Sequence, residues 1–408
     1  MMDFLRMFVL ILLFVGMQAR AVCSNTNVGQ NDSIVVSLLT CSPGEDLYSM
    51  FGHSGIRVHN LSTGEDVVFN YGMFNYDADN FIYRFVKGET DYELGAEYAN
   101  GFFYRYNVKG HGVVEQVLNL THEQKCKLCM LLYENYRPEN RVYRYNFLYD
   151  NCTTRARDVI EKSVGNSGGE IVYGDDVVTV TFRTILHCFT DPYPWAEFGI
   201  DMLLGAEVDK IVSKRERMFI PSLYEADLEV ASIFNADGVD KPLLLSTNEV
   251  IPNRIDCTNS NVLSSPRCVF WTIFFLCFAI SVWDVRRRRI AWVLDMVLML
   301  VQGLAGIVIS FLFFFSEHPA VGSNWLVIVF NPLPLLMIYW MISSRRRCQT
   351  NWLWRANLAV LLVFVLAIPI IPQSFNPAMI PLVLTLLLRS ASGEVVVKMK
   401  SRGEKIDK

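Results

Sequence analysis

Residues 143–160 read YRYNFLYDNCTTRARDVI, and the character of the chain changes in the middle of that stretch. Tyr143–Leu148 is apolar and suits an extended segment, whereas Tyr149-Asp150-Asn151 is turn chemistry. From Cys152 onward Ala156, Val159 and Ile160 recur at helical spacing, with Arg155, Arg157 and Asp158 between them. The stretch therefore predicts a helix that opens on a cysteine. The dipole at a helix N-terminus lowers a thiol pKa, and the first backbone N–H groups there can receive an oxyanion. This is the setting of a nucleophile, and a nucleophile needs a base.

Upstream, Phe51-Gly52-His53-Ser54-Gly55-Ile56-Arg57-Val58 reads as a strand opened by a histidine among small residues. Thr63-Gly64 makes a turn and Asp66–Tyr71 returns as the partner strand. A hairpin folded about Ser62–Thr63 sets His53 beside Asn70 and Gly72. His53 is the candidate base, and Asn70 stands where papain-type chemistry keeps the amide that orients the imidazole. His111, between Gly110 and Gly112, is the rival for either role.

Ser33–Leu39 reads as a further strand. Phe81–Gly88 and Tyr92–Ala96 read as short elements, and Tyr104–Val108 and Val113–Leu118 as strands. Thr121-x-x-Gln124 is a capping box that starts a helix running to about Tyr136, and Pro138 breaks it. Cys126-x-x-Cys129 has no second ligand pair at zinc spacing, so a disulfide or a half-buried helix face is expected there. The pairing of Cys41, Cys126, Cys129, Cys188 and Cys257 stays open.

The whole chain has 408 residues, 52% of them hydrophobic and 19% charged, which excludes disorder as its main state. With 37 basic and 41 acidic residues it has no electrostatic footprint for nucleic acid. Ten cysteines are too few for a disulfide scaffold. Met7–Met17 followed by Ala19-Arg20-Ala21 reads as a cleaved signal peptide, residues 1–21. Residues 22–265 then form an extracytoplasmic domain. After Pro266 come five candidate spans, Cys268–Val285, Ile290–Phe315, Trp325–Ile342, Ala356–Ile371 and Ala378–Leu388, the last short enough for a tilted or re-entrant segment. They make a membrane domain over 266–389, followed by a tail at 390–408. Arg286–Arg289, Arg345–Arg347 and the basic tail occupy alternate loops, which puts them in the cytoplasm and the first domain outside.

FGHSGIRV, FNYG and YRYNFLYDNCTTRARDVI together resemble the exported domain of the Lnb-type bacterial lipoprotein N-acyltransferases. The order of His and Asn-Cys is also similar to the permuted papain-like fold of lecithin–retinol acyltransferase. The Lnb resemblance extends to Pro138-Glu139-Asn140-Arg141, Thr181-Phe182-Arg183, the loop Glu317–Val321 and Asn324-Trp325. It implies an α+β, permuted papain-like extracytoplasmic domain followed by an all-α membrane bundle of about five helices. It also implies a thiol acyltransferase of the bacterial inner membrane, its catalytic domain facing the periplasm. Cys152, His53 and Asn70 would be catalytic, and Arg155, Glu317 and His318 would meet the substrate. A phospholipid would be the acyl donor and a diacylated lipoprotein the acceptor. No metal or nucleotide is called for, since the sequence has no glycine-rich phosphate loop and no ligand cluster. Two alternatives share these residues: a cysteine hydrolase acting on phospholipid or cell-wall peptide, and a non-enzymatic membrane scaffold.

Overall fold

Three runs form an antiparallel meander: β1 (Ile34–Cys41), β2 (His53–Asn60) and β3 (Glu65–Met73). The β2–β3 register pairs Ile56 with Phe69 and Asn60 with Glu65, so the hairpin folds about Ser62–Thr63 as the sequence implies. The same register, continued, sets His53 opposite Gly72. The computed structural model describes residues 33–406 apart from 45, 47–48, 75–78, 235–239 and 256–261. The expected signal peptide lies outside the described residues, and so does Cys257. The chain divides into two compact units, one holding the chain through Thr179 and again over Val212–Cys257, the other Val180–Ile211 and the chain from Thr258.

In the first unit the meander is followed by α1 (Phe81–Lys87), β4 (Asp91–Tyr98), α2 (Ala99–Lys109), β5 (Val113–Leu118), α3 (His122–Tyr136), β6 (Val142–Arg144), α4 (Cys152–Gly165) and β7 (Glu170–Val172). After residue 212 come a helix over Pro221–Glu229 and three strands, β8 (Ser232–Phe234), β9 (Asp240–Pro242) and β10 (Leu244–Ile251). A seven-stranded antiparallel sheet runs β10-β5-β1-β2-β3-β4-β6, and β7-β8-β9 make a small second sheet.

Apolar residues cover both faces of the sheet. Val36, Leu38, Ile56, Phe69 and Tyr71 pack with Leu128, Leu132, Ala156 and Ile160 of α3 and α4. Leu39, Cys41 and Val68 point the other way, onto Ala99 and Phe102 of α2. That second layer was not legible. Tyr104–Val108, expected as a strand, lies inside α2, since buried Ala99 and Phe102 at i,i+3 spacing override the β-propensity of its aromatics. Gly110 ends the helix at φ 77°. The capping box of α3 is present, with Thr121 N–H on Gln124 Oε1 at 2.9 Å and Gln124 N–H on Thr121 Oγ1 at 3.2 Å.

The second unit begins with α5 (Phe182–Thr190) and α6 (Pro194–Leu203). It continues after residue 258 with α7 (Pro266–Arg287), α8 (Trp292–Phe315), α9 (Trp352–Ala367) and α10 (Met379–Ile406). These last four supply helices long and apolar enough to cross a membrane. The third expected span is broken: Trp325–Leu336 and Ile338–Arg347 meet at 75°. Pro332 and Pro334 sit in that stretch and remove backbone donors. The last expected span does not stop at Leu388. Arg389, whose charge ends the apolar run, is buried against Asp295 at 2.8 Å and Asp284 at 2.9 Å, so the helix continues through it.

Candidate active site

Cys152 is the first residue of α4, and Asn151 caps the helix. Asn151 Oδ1 accepts from Thr153 N–H at 2.9 Å and Thr154 N–H at 3.0 Å, while its Nδ2 donates to the carbonyls of Phe147 and Phe219 at 2.7 and 2.8 Å. The second and third amides of the helix are thus taken. The first, on Cys152, makes no hydrogen bond among the described residues and stays available to a ligand. Thr153 and Ser54 share a hydroxyl contact of 3.1 Å that ties the head of α4 to β2.

His53 opens β2 directly after Gly52, whose φ of +79° and 2.6 Å approach of a notional β-carbon to Cys41 O leave room only for glycine. Its Nε2 lies 3.2 Å from Asn70 Oδ1 on β3. The orientation of that amide is set from behind, because Asn70 Nδ2 donates to Glu97 Oε1 at 3.0 Å. With Oδ1 facing the ring, Nε2 must carry the proton, and Nδ1 is left for the sulfur. Glu97 is in turn clamped by Arg105 of α2, at 2.6 and 2.8 Å. Four residues on four elements thus stand in line behind the thiol.

Burial acts to raise the Cys152 thiol. The charge of His53, its hydrogen bond, the Ser54 N–H and the Thr153 hydroxyl outweigh it and bring the thiol down from 9.0 to about 7. Burial acts to lower His53, and the Cys152 charge together with hydrogen bonds to Cys152 and Asn70 hold it above its ordinary 6.5. Both shifts favour a thiolate–imidazolium pair.

Cys152, His53 and Asn70, read from the sequence as one site, therefore stand together. His111 does not join them: it lies against the Tyr106 ring at 6.0 Å and beside Gly44. Arg155 is engaged by Asp150 through two bonds of 2.6 and 2.7 Å, and its guanidinium carbon lies 3.5 Å from the Tyr143 ring centre. Arg157 is buried and donates to Arg215 O at 2.7 Å. Glu317 and His318 belong to the second unit, on the segment between α8 and Pro319–Val321. Of the cysteines left open, Cys41 and Cys188 are free thiols, Cys126 contacts His122 Nε2 at 3.5 Å, and Cys129 is in the core.

Glu97, Arg105 and Tyr143 were not foreseen. Glu97 and Arg105 carry no local signal, since only the packing of α2 on β4 brings them behind Asn70. One group with metal-ligating side chains occurs among the described residues, His187, Glu197 and Asp201 in the second unit. Its central carboxylate is already held by Arg183 at 2.6 Å, His187 at 3.0 Å and Asn376 at 2.8 Å, so a cation would have to displace a buried guanidinium.

Two stretches of the chain match family models. Residues 24–186 match the family model described as the Lnb N-terminal periplasmic domain, and residues 258–401 match the Lnb transmembrane domain. No curated protein and no solved structure matches the chain.

Proposed function

The chain belongs to the Lnb family, a membrane protein with a periplasmic domain, and on that premise we propose that it is a lipoprotein N-acyltransferase of the bacterial inner membrane. It moves an acyl chain from a phospholipid, by way of a Cys152 thioester, to the α-amine of a diacylated lipoprotein's N-terminal cysteine. The observation that carries this reading is the hydrogen-bonded series Cys152, His53, Asn70 at the head of a helix, with a thiol that ionises at about 7.

In the first half-reaction the Cys152 thiolate attacks the sn-1 ester carbonyl. The carbon–sulfur bond forms and the carbonyl electron pair moves onto oxygen, where the Cys152 N–H receives it. Collapse breaks the carbon–oxygen bond, and the His53 imidazolium gives its proton to the departing glycerol oxygen. A lysophospholipid leaves and a thioester stays. In the second half the lipoprotein amine attacks the thioester, His53 removes the amine proton, and Cys152 departs as thiolate. Asn70 holds the ring in the tautomer that both halves use. Two acyl transfers at a thiol replace one slow aminolysis of an ester.

The test uses full-length protein in phospholipid vesicles with a diacylated N-terminal-cysteine lipopeptide, read by mass spectrometry. The expected result is one added acyl chain on the α-amine and an equal amount of lysophospholipid, both lost in Cys152→Ala. Free fatty acid with an unchanged lipopeptide would replace this reading with a lipase. No product from any lipid donor would end the enzyme reading.

A further inference from the structure

Tyr143 is a buried phenol, 7% exposed, whose hydroxyl has no hydrogen-bond partner among the described residues. An orphaned buried hydroxyl forgoes a net ~1–3 kcal/mol, so it needs a reason to be where it is. Its surroundings supply one. Gly72 stands at the end of β3 with φ +86°, and a β-carbon there would lie 3.6 Å from Cys152 Cβ and 3.9 Å from Tyr143 Oη. Glycine at 72 therefore leaves a small space bordered by both the thiol-bearing residue and the phenol. Tyr145, stacked on Tyr92 at 4.1 Å, also borders it with its Cε2 at 3.8 Å.

The ring of Tyr143 is also held more firmly than packing needs. Arg155, in the turn that carries Cys152, lies 3.5 Å over its centre, and Asp150 holds that guanidinium through two hydrogen bonds of 2.6 and 2.7 Å. Tyr71 meets the ring edge-on at 6.3 Å. A cation on the face of a phenol draws electron density from it and strengthens O–H as a donor. Burial keeps the phenol protonated, pushing its pKa up, so the group beside the thiol is a donor at every working pH.

Resting on the acyl-transfer reading above, we propose that Tyr143 is a catalytic residue, the side-chain half of the oxyanion hole. Its Oη donates to the carbonyl oxygen as the Cys152–carbon bond forms, opposite the Cys152 N–H. Arg155 is its positioning residue. The proton stays on Tyr143 throughout: the bond it donates shortens as negative charge builds on the oxygen and lengthens as the tetrahedral adduct collapses.

The experiment separates the nucleophile from the oxyanion. Full-length wild type, Tyr143→Phe and Arg155→Met are each treated with iodoacetamide, whose displacement by the thiolate builds no oxyanion, and with p-nitrophenyl laurate, whose acyl transfer does. Tyr143→Phe is expected to keep the wild-type alkylation rate and its pH profile, to keep or raise the melting temperature, and to lose about 10²–10³-fold in acylation kcat. Arg155→Met is expected to lose less, in kcat rather than KM, again with alkylation intact. Acylation by Tyr143→Phe within twofold of wild type overturns the assignment. A parallel loss of alkylation and acylation also overturns it, because the hydroxyl would then act on the thiol. If the variant unfolds, wild type carrying fluorinated tyrosine at 143 replaces it: acylation must change with phenol acidity while alkylation does not, and a flat response overturns the proposal. Wild type that is never acylated by any ester takes down the acyl-transfer reading itself, and this one with it.

Discussion

At the scale of single residues, several weak influences lower the Cys152 thiol together. Burial alone would leave Cys152 a neutral thiol; the imidazolium, one amide and one hydroxyl bring it to about 7. The thiolate dominates above that value and protonates below it, so the rate of alkylation by iodoacetamide should rise through about pH 7. In His53→Ala the lowering charge is gone and burial remains, which should move the midpoint back up to the ordinary 9.0 of the thiol or higher. An unmoved midpoint would remove His53 from the site. Asn70→Ala leaves the nucleophile in place but frees the ring to adopt the wrong tautomer. Its acylation kcat should drop about 10²-fold, within the usual worth of general acid–base catalysis, while the melting curve stays two-state. Wild-type kcat in Asn70→Ala would show that β3 does not orient the imidazole. The positions of the candidate nucleophile and candidate base were legible because each announces itself locally, a cysteine at a helix start and a histidine at a strand start. Glu97 and Arg105 were not, because what makes them matter is the tertiary contact of α2 with the sheet.

At the scale of elements, α4 shows how a helix start becomes a site. Asn151 spends all its polar atoms on structure, capping two amides and satisfying two carbonyls from Phe147 and Phe219. Asn151→Ala should therefore destabilise the protein by more than a simple cap, about 2–4 kcal/mol once the stranded carbonyls are included, and a chemical denaturation midpoint would measure it. A loss below ~1 kcal/mol would mean that water satisfies those groups. In the second unit the close approach is made by glycine. A β-carbon on Gly306 of α8 would come within 2.4 Å of the Asn331 carbonyl carbon, and one on Gly303 within 2.4 Å of Leu335 Cβ. Small residues let backbones meet where no hydrophobic force drives them together. Gly306→Val should consequently lower the melting temperature in detergent, and more than the exposed Leu304→Val on the same helix. Equal effects would show that the bent segment does not seat on α8 this closely. None of this could be read from hydropathy, which registers Gly303 and Gly306 only as interruptions.

At the scale of the whole molecule, the open question of topology turns on the bent pair Trp325–Leu336 and Ile338–Arg347, which is a broken span or a re-entrant loop. The two ends of the pair decide it. At the start, Trp325 N–H donates to Gln373 Oε1 at 2.8 Å, and Gln373 lies in the segment between α9 and α10. At the finish, Arg345 Nη2 donates to Ser390 O at 3.1 Å and its Nε lies 3.8 Å from Asp295 Oδ2. Asp295 is in the first turn of α8, and Arg389 joins it to Asp284 in the last turn of α7. The pair thus enters at the end of the bundle where α9 turns into α10 and leaves at the end where α7 turns into α8, which only a segment that crosses can do. Counting it gives five candidate spans, an odd number. Arg286–Arg289, Arg345–Arg347 and the basic end of α10 then share one side, as the bias of arginine and lysine toward the cytoplasm requires. Part of this was legible from the arginines alone. The burial of Arg389 was not, because a charge inside a bundle and a charge ending a span look alike in one dimension. Alkaline phosphatase, which folds only outside the cytoplasm, should be active when fused after Ser264 and after Gly322, and silent after Arg347 and after the last residue. Activity after Arg347 would make the bent pair a re-entrant loop, put two basic clusters on the outer face, and leave four spans in place of five.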